Sequence, residues 1–199
     1  MRIWNDEAIM KHVWLIACMF FAGHAMADSS HDLVLLGSMP IPSWQTVPDP
    51  NIESVQDRLV TGPKGRRVSI FELMPKGQND NNWRKRYWYV TFENVTKATN
   101  AVMKSNLQTF ANECMSKVKF TEYKRPKAAR LFVMFCGKLK AEPLGQVSMI
   151  WLGRTGSTLV RVSEEWRGKP YNFDATDSYF WEKADLRRAV QLLGTARLE

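Results

Sequence analysis

The run Leu131-Phe132-Val133-Met134-Phe135-Cys136 carries no polar side chain at either parity. Successive residues of a strand face opposite sides of a sheet, so this stretch is apolar on both faces and belongs at a sheet's centre. Its neighbours also read as strands: 118–123 before it, 146–152 and 158–164 after it, the last two joined by a tight turn at Arg154-Thr155-Gly156. Upstream, 58–61 and 67–74 flank Gly62-Pro63-Lys64-Gly65, a hairpin pattern in which Phe71 and Leu73 alternate with Glu72 and Met74. After a turn-rich stretch, 75–82, residues 86–92 place Trp88, Val90 and Phe92 on one face and Tyr87, Tyr89 and Thr91 on the other.

Two segments follow the helical period instead. Met103, Leu107, Phe110 and Cys114 make one apolar stripe, with Thr96 as the expected N-cap. Leu186, Ala189, Val190, Leu193 and Ala196 make another in a helix expected over 177–197, started by Asp174, Thr176 or Asp177. Strands, helix, strands, helix is the order of an α+β domain. It predicts a mainly antiparallel sheet of about five to seven strands with two helices packed on it. Cys114 on the first stripe and Cys136 on the central strand would then join helix to sheet.

The N-terminus has a different character. Lys11 and His12 precede an apolar run from Val13 to Gly23, and Ala25-Met26-Ala27 follows. These are the parts of a secretory signal, and the run falls short of the roughly 20 apolar residues of a membrane span. Residues 1–27 are therefore expected to be a signal peptide cleaved after Ala27. A start at Met10 would remove the ill-placed acids Asp6 and Glu7. The alternatives are a retained anchor and a lipoprotein acylated at Cys18, since Leu15-Ile16-Ala17-Cys18 resembles a lipobox. Residues 28–55, with Pro40, Pro42, Pro48 and Pro50, read as an extended segment leading to a single domain over 56–199. The expected address is periplasmic or secreted.

Removing the signal changes the chemistry available. Arg2 and Lys11 balance Asp6 and Glu7, so the formal charge of +8 stays with the remainder. His12, His24 and Cys18 leave, so His31 is the remaining histidine and Cys114 and Cys136 the remaining cysteines. In an oxidising compartment that pair predicts a disulfide, the other reading being two buried thiols. Nucleophilic triads need an imidazole beside the nucleophile, and no metal-ligand spacing of His or Cys occurs. No catalytic residue, metal site or cofactor is predicted. Glu164 and Glu165 are adjacent and so point to opposite faces of a strand, which argues against a carboxylate-pair hydrolase.

Trp83-Arg84-Lys85-Arg86-Tyr87-Trp88-Tyr89 is the most unusual local composition. Cations interleaved with aromatics can hold anions while presenting ring faces, and Trp166-Arg167 ends the last strand in a similar mixture. The candidate binding surface is therefore Trp83, Arg84, Lys85, Arg86, Tyr87, Tyr89, Trp166 and Arg167. The competing account is a strand whose rings pack inside and whose arginines sit at the edge.

Glu72-Leu73-Met74-Pro75-Lys76-Gly77-Gln78, with Trp83 beyond it, resembles a segment of small uncharacterised exported proteins of Proteobacteria, although Arg84 stands where those carry Ser or Thr. The order of elements is similar to the Mog1/PsbP-like sandwich, a resemblance that implies a non-catalytic accessory role. The resulting expectation is an exported binding or accessory protein of the bacterial envelope, with a protein or an anionic envelope component as partner and no nucleic acid. An inhibitor or immunity-type protein against a secreted toxin is the alternative reading. A carboxylate hydrolase and a structural part of an envelope machine stand behind it.

Overall fold

The computed structural model describes residues 40–44, 52–61, 67–123, 125 and 129–198, without side chains for 52–59. The expected signal peptide, Cys18, His31 and the turn Gly62-Pro63-Lys64-Gly65 lie outside the described residues.

Seven strands form one sheet: β1 Ile52–Thr61, β2 Arg67–Pro75, β3 Lys85–Phe92, β4 Lys119–Tyr123, β5 Arg130–Cys136, β6 Gly145–Thr155 and β7 Thr158–Gly168. Their spatial order is β1-β2-β3-β7-β6-β5-β4, and every neighbouring pair is antiparallel. Helices α1, Thr99–Glu113, and α2, Lys183–Leu193, complete an α+β domain. Among the described residues no helix is long and apolar enough to cross a membrane.

The helices lie on opposite faces of the sheet. Val102, Met103 and Phe110 of α1 pack on Phe132, Met134, Ile150, Leu152 and Leu159. Ala189, Val190 and Leu193 of α2 pack on the opposite parity of the same strands, Leu131, Val133, Met149, Val160 and Val162. This explains why the 131–136 run is apolar at both parities. It also corrects the expectation that β5 is central: β5 is second from the edge, buried on both sides by one helix each, and β7 occupies the middle. The β6–β7 hairpin turns at Gly156, whose φ of +54° suits the first position of a two-residue hairpin loop.

Cys114 caps the C-terminus of α1 and is bonded to Cys136 at the end of β5, with Cα atoms 5.7 Å apart. The bond closes a loop of 22 residues in sequence, worth about 3 kcal/mol on the chain-entropy estimate. Beside it, Lys140 donates its backbone N–H to Glu113 O and its Nζ to Asn112 O. Both carbonyls are orphans of the last helical turn, where a cation is also favoured by the dipole.

Several element ends differ from the sequence reading. β1 begins at Ile52, and β7 runs on to Gly168, so Trp166 and Arg167 are strand residues. The residue before α1 is Ala98, not Thr96. The larger difference is at α2, which starts at Lys183, so Asp174, Thr176 and Asp177 do not cap it. Aromatic packing delays the helix. Tyr171 meets Phe173, Tyr179, Phe180 and Trp181 edge-on at centroid distances of 4.6 to 5.7 Å. Phe180 packs against Gly168, where a Cβ would fall 2.3 Å from the ring. Tyr179 keeps an extended backbone to reach this cluster, and only a short 3-10 turn, Thr176–Ser178, precedes it.

Candidate functional site

The aromatic and basic segment is mostly interior. Trp83, Arg86, Tyr87, Tyr89 and Trp166 are buried, Arg167 is half-buried, and Arg84 and Lys85 are exposed. The expected exposed surface of rings and cations is thus not what these residues form. β3 sits between β2 and β7, and its side chains are covered on both faces.

On the α1 side the cations serve the protein's own tryptophans. The Arg86 guanidinium lies 4.0 Å from the Trp83 centroid and 4.3 Å from that of Trp88. Arg167 lies 3.9 Å from the Trp83 centroid. Two planar cations at that distance cannot share one ring face, so the order is Trp88, Arg86, Trp83, Arg167, a ladder of alternating rings and guanidiniums.

Carboxylates neutralise the ladder from the sheet. Arg86 Nη2 donates to Glu165 Oε2 at 2.7 Å, directly across the β3–β7 pair, and its Nε is 3.7 Å from Glu72 on β2. Arg161, four residues before Glu165, donates to its other oxygen at 3.0 Å. Burial alone would push the Glu165 carboxyl up, but Arg86 and Arg161 outweigh it and hold the group below its ordinary value. Burial lowers Arg161 and Arg167, yet a guanidinium remains charged throughout the physiological range. Arg167 is held by Glu142 Oε1 at 3.0 Å and Gln146 Oε1 at 2.9 Å.

Glu164 faces the other way. It lies under the segment Pro40–Trp44, which crosses the α2 side of β3 and β7. Ser43 donates its N–H to Oε2 at 2.9 Å and its hydroxyl to Oε1 at 2.5 Å, and Trp166 Nε1 donates to Oε1 at 2.7 Å. Burial raises the Glu164 pKa against these bonds. Tyr87 donates its hydroxyl to Pro40 O at 2.5 Å, and Trp44 packs against the core. The two glutamates therefore occupy separate environments on opposite faces.

A cluster of exposed cations lies at the end of the sheet that carries the disulfide. Exposed there are Arg84 and Lys85 at the start of β3, Lys117 before β4, Lys138 and Lys140 after β5, and Lys169 after β7. Met115, 60% exposed, sits among them. The loops bearing these groups are tied together: Met115 N donates to Lys138 O, Lys140 N to Glu113 O, and the disulfide joins their bases. Three acids lie nearby, with Asp174 paired to Lys119. Glu142 is engaged by Arg167, and burial, then the neighbouring Glu165, raises the Glu113 pKa. This rim can hold an anion; it offers no nucleophile with an activating base. Among the described residues no group of three or more His, Cys, Asp or Glu could hold a metal ion.

No family model, curated protein or solved structure matches the chain. Sequence reasoning reached Arg84 and Lys85 but missed Lys117, Lys138 and Lys140. Their nearness to Cys114 and Cys136 in the chain was the available signal, since a bond between the cysteines necessarily brings those lysines together.

Proposed function

We propose that the protein is a non-catalytic binding or accessory module of an oxidising, extracytoplasmic compartment, and that it recognises an anionic partner through the lysine-rich rim beside Cys114–Cys136. The observation that carries this reading is the covalent and hydrogen-bonded joining of the two loops that bear Lys117, Lys138, Lys140 and Met115. Loops already fixed lose little backbone entropy on binding, and a cationic rim with an exposed methionine suits a partner with both charge and apolar surface. The same rigid surface also fits an inhibitor of a secreted protein, which differs in having a single tight partner.

The test replaces Arg84, Lys85, Lys117 and Lys138 with glutamine, leaving Lys140 to cap α1. Retention on anionic lipid vesicles, on acidic cell-wall polymer and on periplasmic protein extract is compared with the native chain. Salt-sensitive retention that falls about tenfold in the variant supports the reading. Retention unchanged on all three materials refutes it.

A further inference from the structure

We propose that the groove on the α2 side of β3 and β7, floored by Glu164 and Tyr87, is a receptor for a proline-containing peptide that turns at its serine, and that Pro40–Trp44 is its tethered ligand. A carboxylate in the middle of a strand, 1% exposed, is costly to bury unless donors reach it. Of its three donors, two come from Ser43. The domain itself supplies only Trp166 Nε1 in this set, so Glu164 is incomplete without the segment that lies on it.

The contacts read a chain in a defined way. Two of the three polar contacts between groove and segment use the segment's backbone, the Ser43 N–H and the Pro40 carbonyl. These read the main chain where it enters a turn at Ser43 and Trp44. The Ser43 hydroxyl on Glu164 Oε1 is the side-chain contact, and it selects a small hydroxylated residue. Pro40 and Pro42 are buried and favour extended backbone before contact, which reduces the entropy lost on docking. Ile41 points outward, 40% exposed. The segment adds no strand to the sheet. A few named groups hold it, so the same groups can hold an equivalent peptide from outside.

Tethering gives such a segment an effective concentration in the millimolar range, so an external peptide competes poorly until the cis copy is weakened. Ser43→Pro removes both donors from the segment and leaves the groove intact. Chymotryptic cleavage after Trp44, which packs against the core in the native chain, should then become faster, while hydrogen exchange shows β6 and β7 still protected. A labelled synthetic peptide spanning residues 38–46 should bind this variant at least about tenfold more tightly than the native chain. Adding Glu164→Ala should abolish that binding. Equal binding to native and variant chains, binding indifferent to Glu164→Ala, or no binding to a variant whose segment is cleaved faster would each overturn the proposal. If Ser43→Pro does not fold, Ser43→Ala serves: Ser43 amide protection should fall about fivefold, and unchanged protection refutes the role of Glu164. None of these readouts depends on the lysine rim.

Discussion

Replacing Arg86 with methionine tests the ring and guanidinium ladder most directly. The change keeps an unbranched apolar stem and removes the planar cation between Trp83 and Trp88. It leaves Glu165 buried, with Arg161 still donating to it, and withdraws a guanidinium that lies 3.7 Å from Glu72. Removing one member of a buried ion pair costs about 3–5 kcal/mol. Each desolvated ring contact is worth up to about 2 kcal/mol, part of which methionine recovers by packing. The terms overlap, so the expected loss is about 4 kcal/mol. For a domain of this size that lowers Tm by about 8–16 °C. Arg86→Lys keeps the charge and loses the plane, so it should fall between, at about 2 kcal/mol. The assay is urea unfolding followed by tryptophan fluorescence, repeated across pH. Glu165 has a folded pKa below its unfolded value of 4.5. Its contribution is therefore present above that value and is lost as pH falls through the folded pKa. The gap between native and Arg86→Met chains should accordingly be constant near neutrality and narrow in acid. A loss below about 1 kcal/mol, or a lysine variant as unstable as the methionine one, would refute this account of the ladder.

Two further outcomes are expected. Reducing the Cys114–Cys136 bond, or replacing both cysteines with serine, should cost about 3 kcal/mol in chemical unfolding and raise exchange in the last turn of α1 while leaving β3 and β7 protected. Gly168→Ala should cost about 1–3 kcal/mol, because its Cβ would meet the Phe180 ring at 2.3 Å; near-ultraviolet circular dichroism should show the aromatic cluster disturbed, and an unchanged spectrum and Tm would refute that packing.

Periodicity made the strands and the existence of both helices legible, because each element buries a regular stripe. It could not place β5, since a strand covered by a helix on each face looks like a central strand. Nor could it start α2: Asp174, Thr176 and Asp177 have cap chemistry, but the packing of Phe180 on Tyr171 stops their turn at Ser178 and extends Tyr179. The ladder was visible only as composition. The parity that sets Arg86 beside Trp88 is local, whereas its pairing with Glu165 spans 79 residues and depends on β7 lying next to β3. Ser43 and Glu164 are further apart still, and nothing near either residue announces the other.

The place of β7 in the sheet has a consequence for how the chain finds its fold. β1–β3 and β4–β7 are each runs of consecutive neighbours, and the β3–β7 pair is the seam that joins them. A one-residue slip at that seam would turn Arg86 and Glu165 to opposite faces. A two-residue slip restores the faces but sets Arg86 against Ser163 or Arg167, as the native register shows by counting along β7. In the first case Glu165 loses its cross-strand cation; in the second, Arg86 faces a hydroxyl in one direction and another guanidinium in the other. Apolar side chains tolerate such slips far better than charges do. The buried charges thus act as a key between the two halves of the sheet, accepting one alignment and rejecting its nearest competitors.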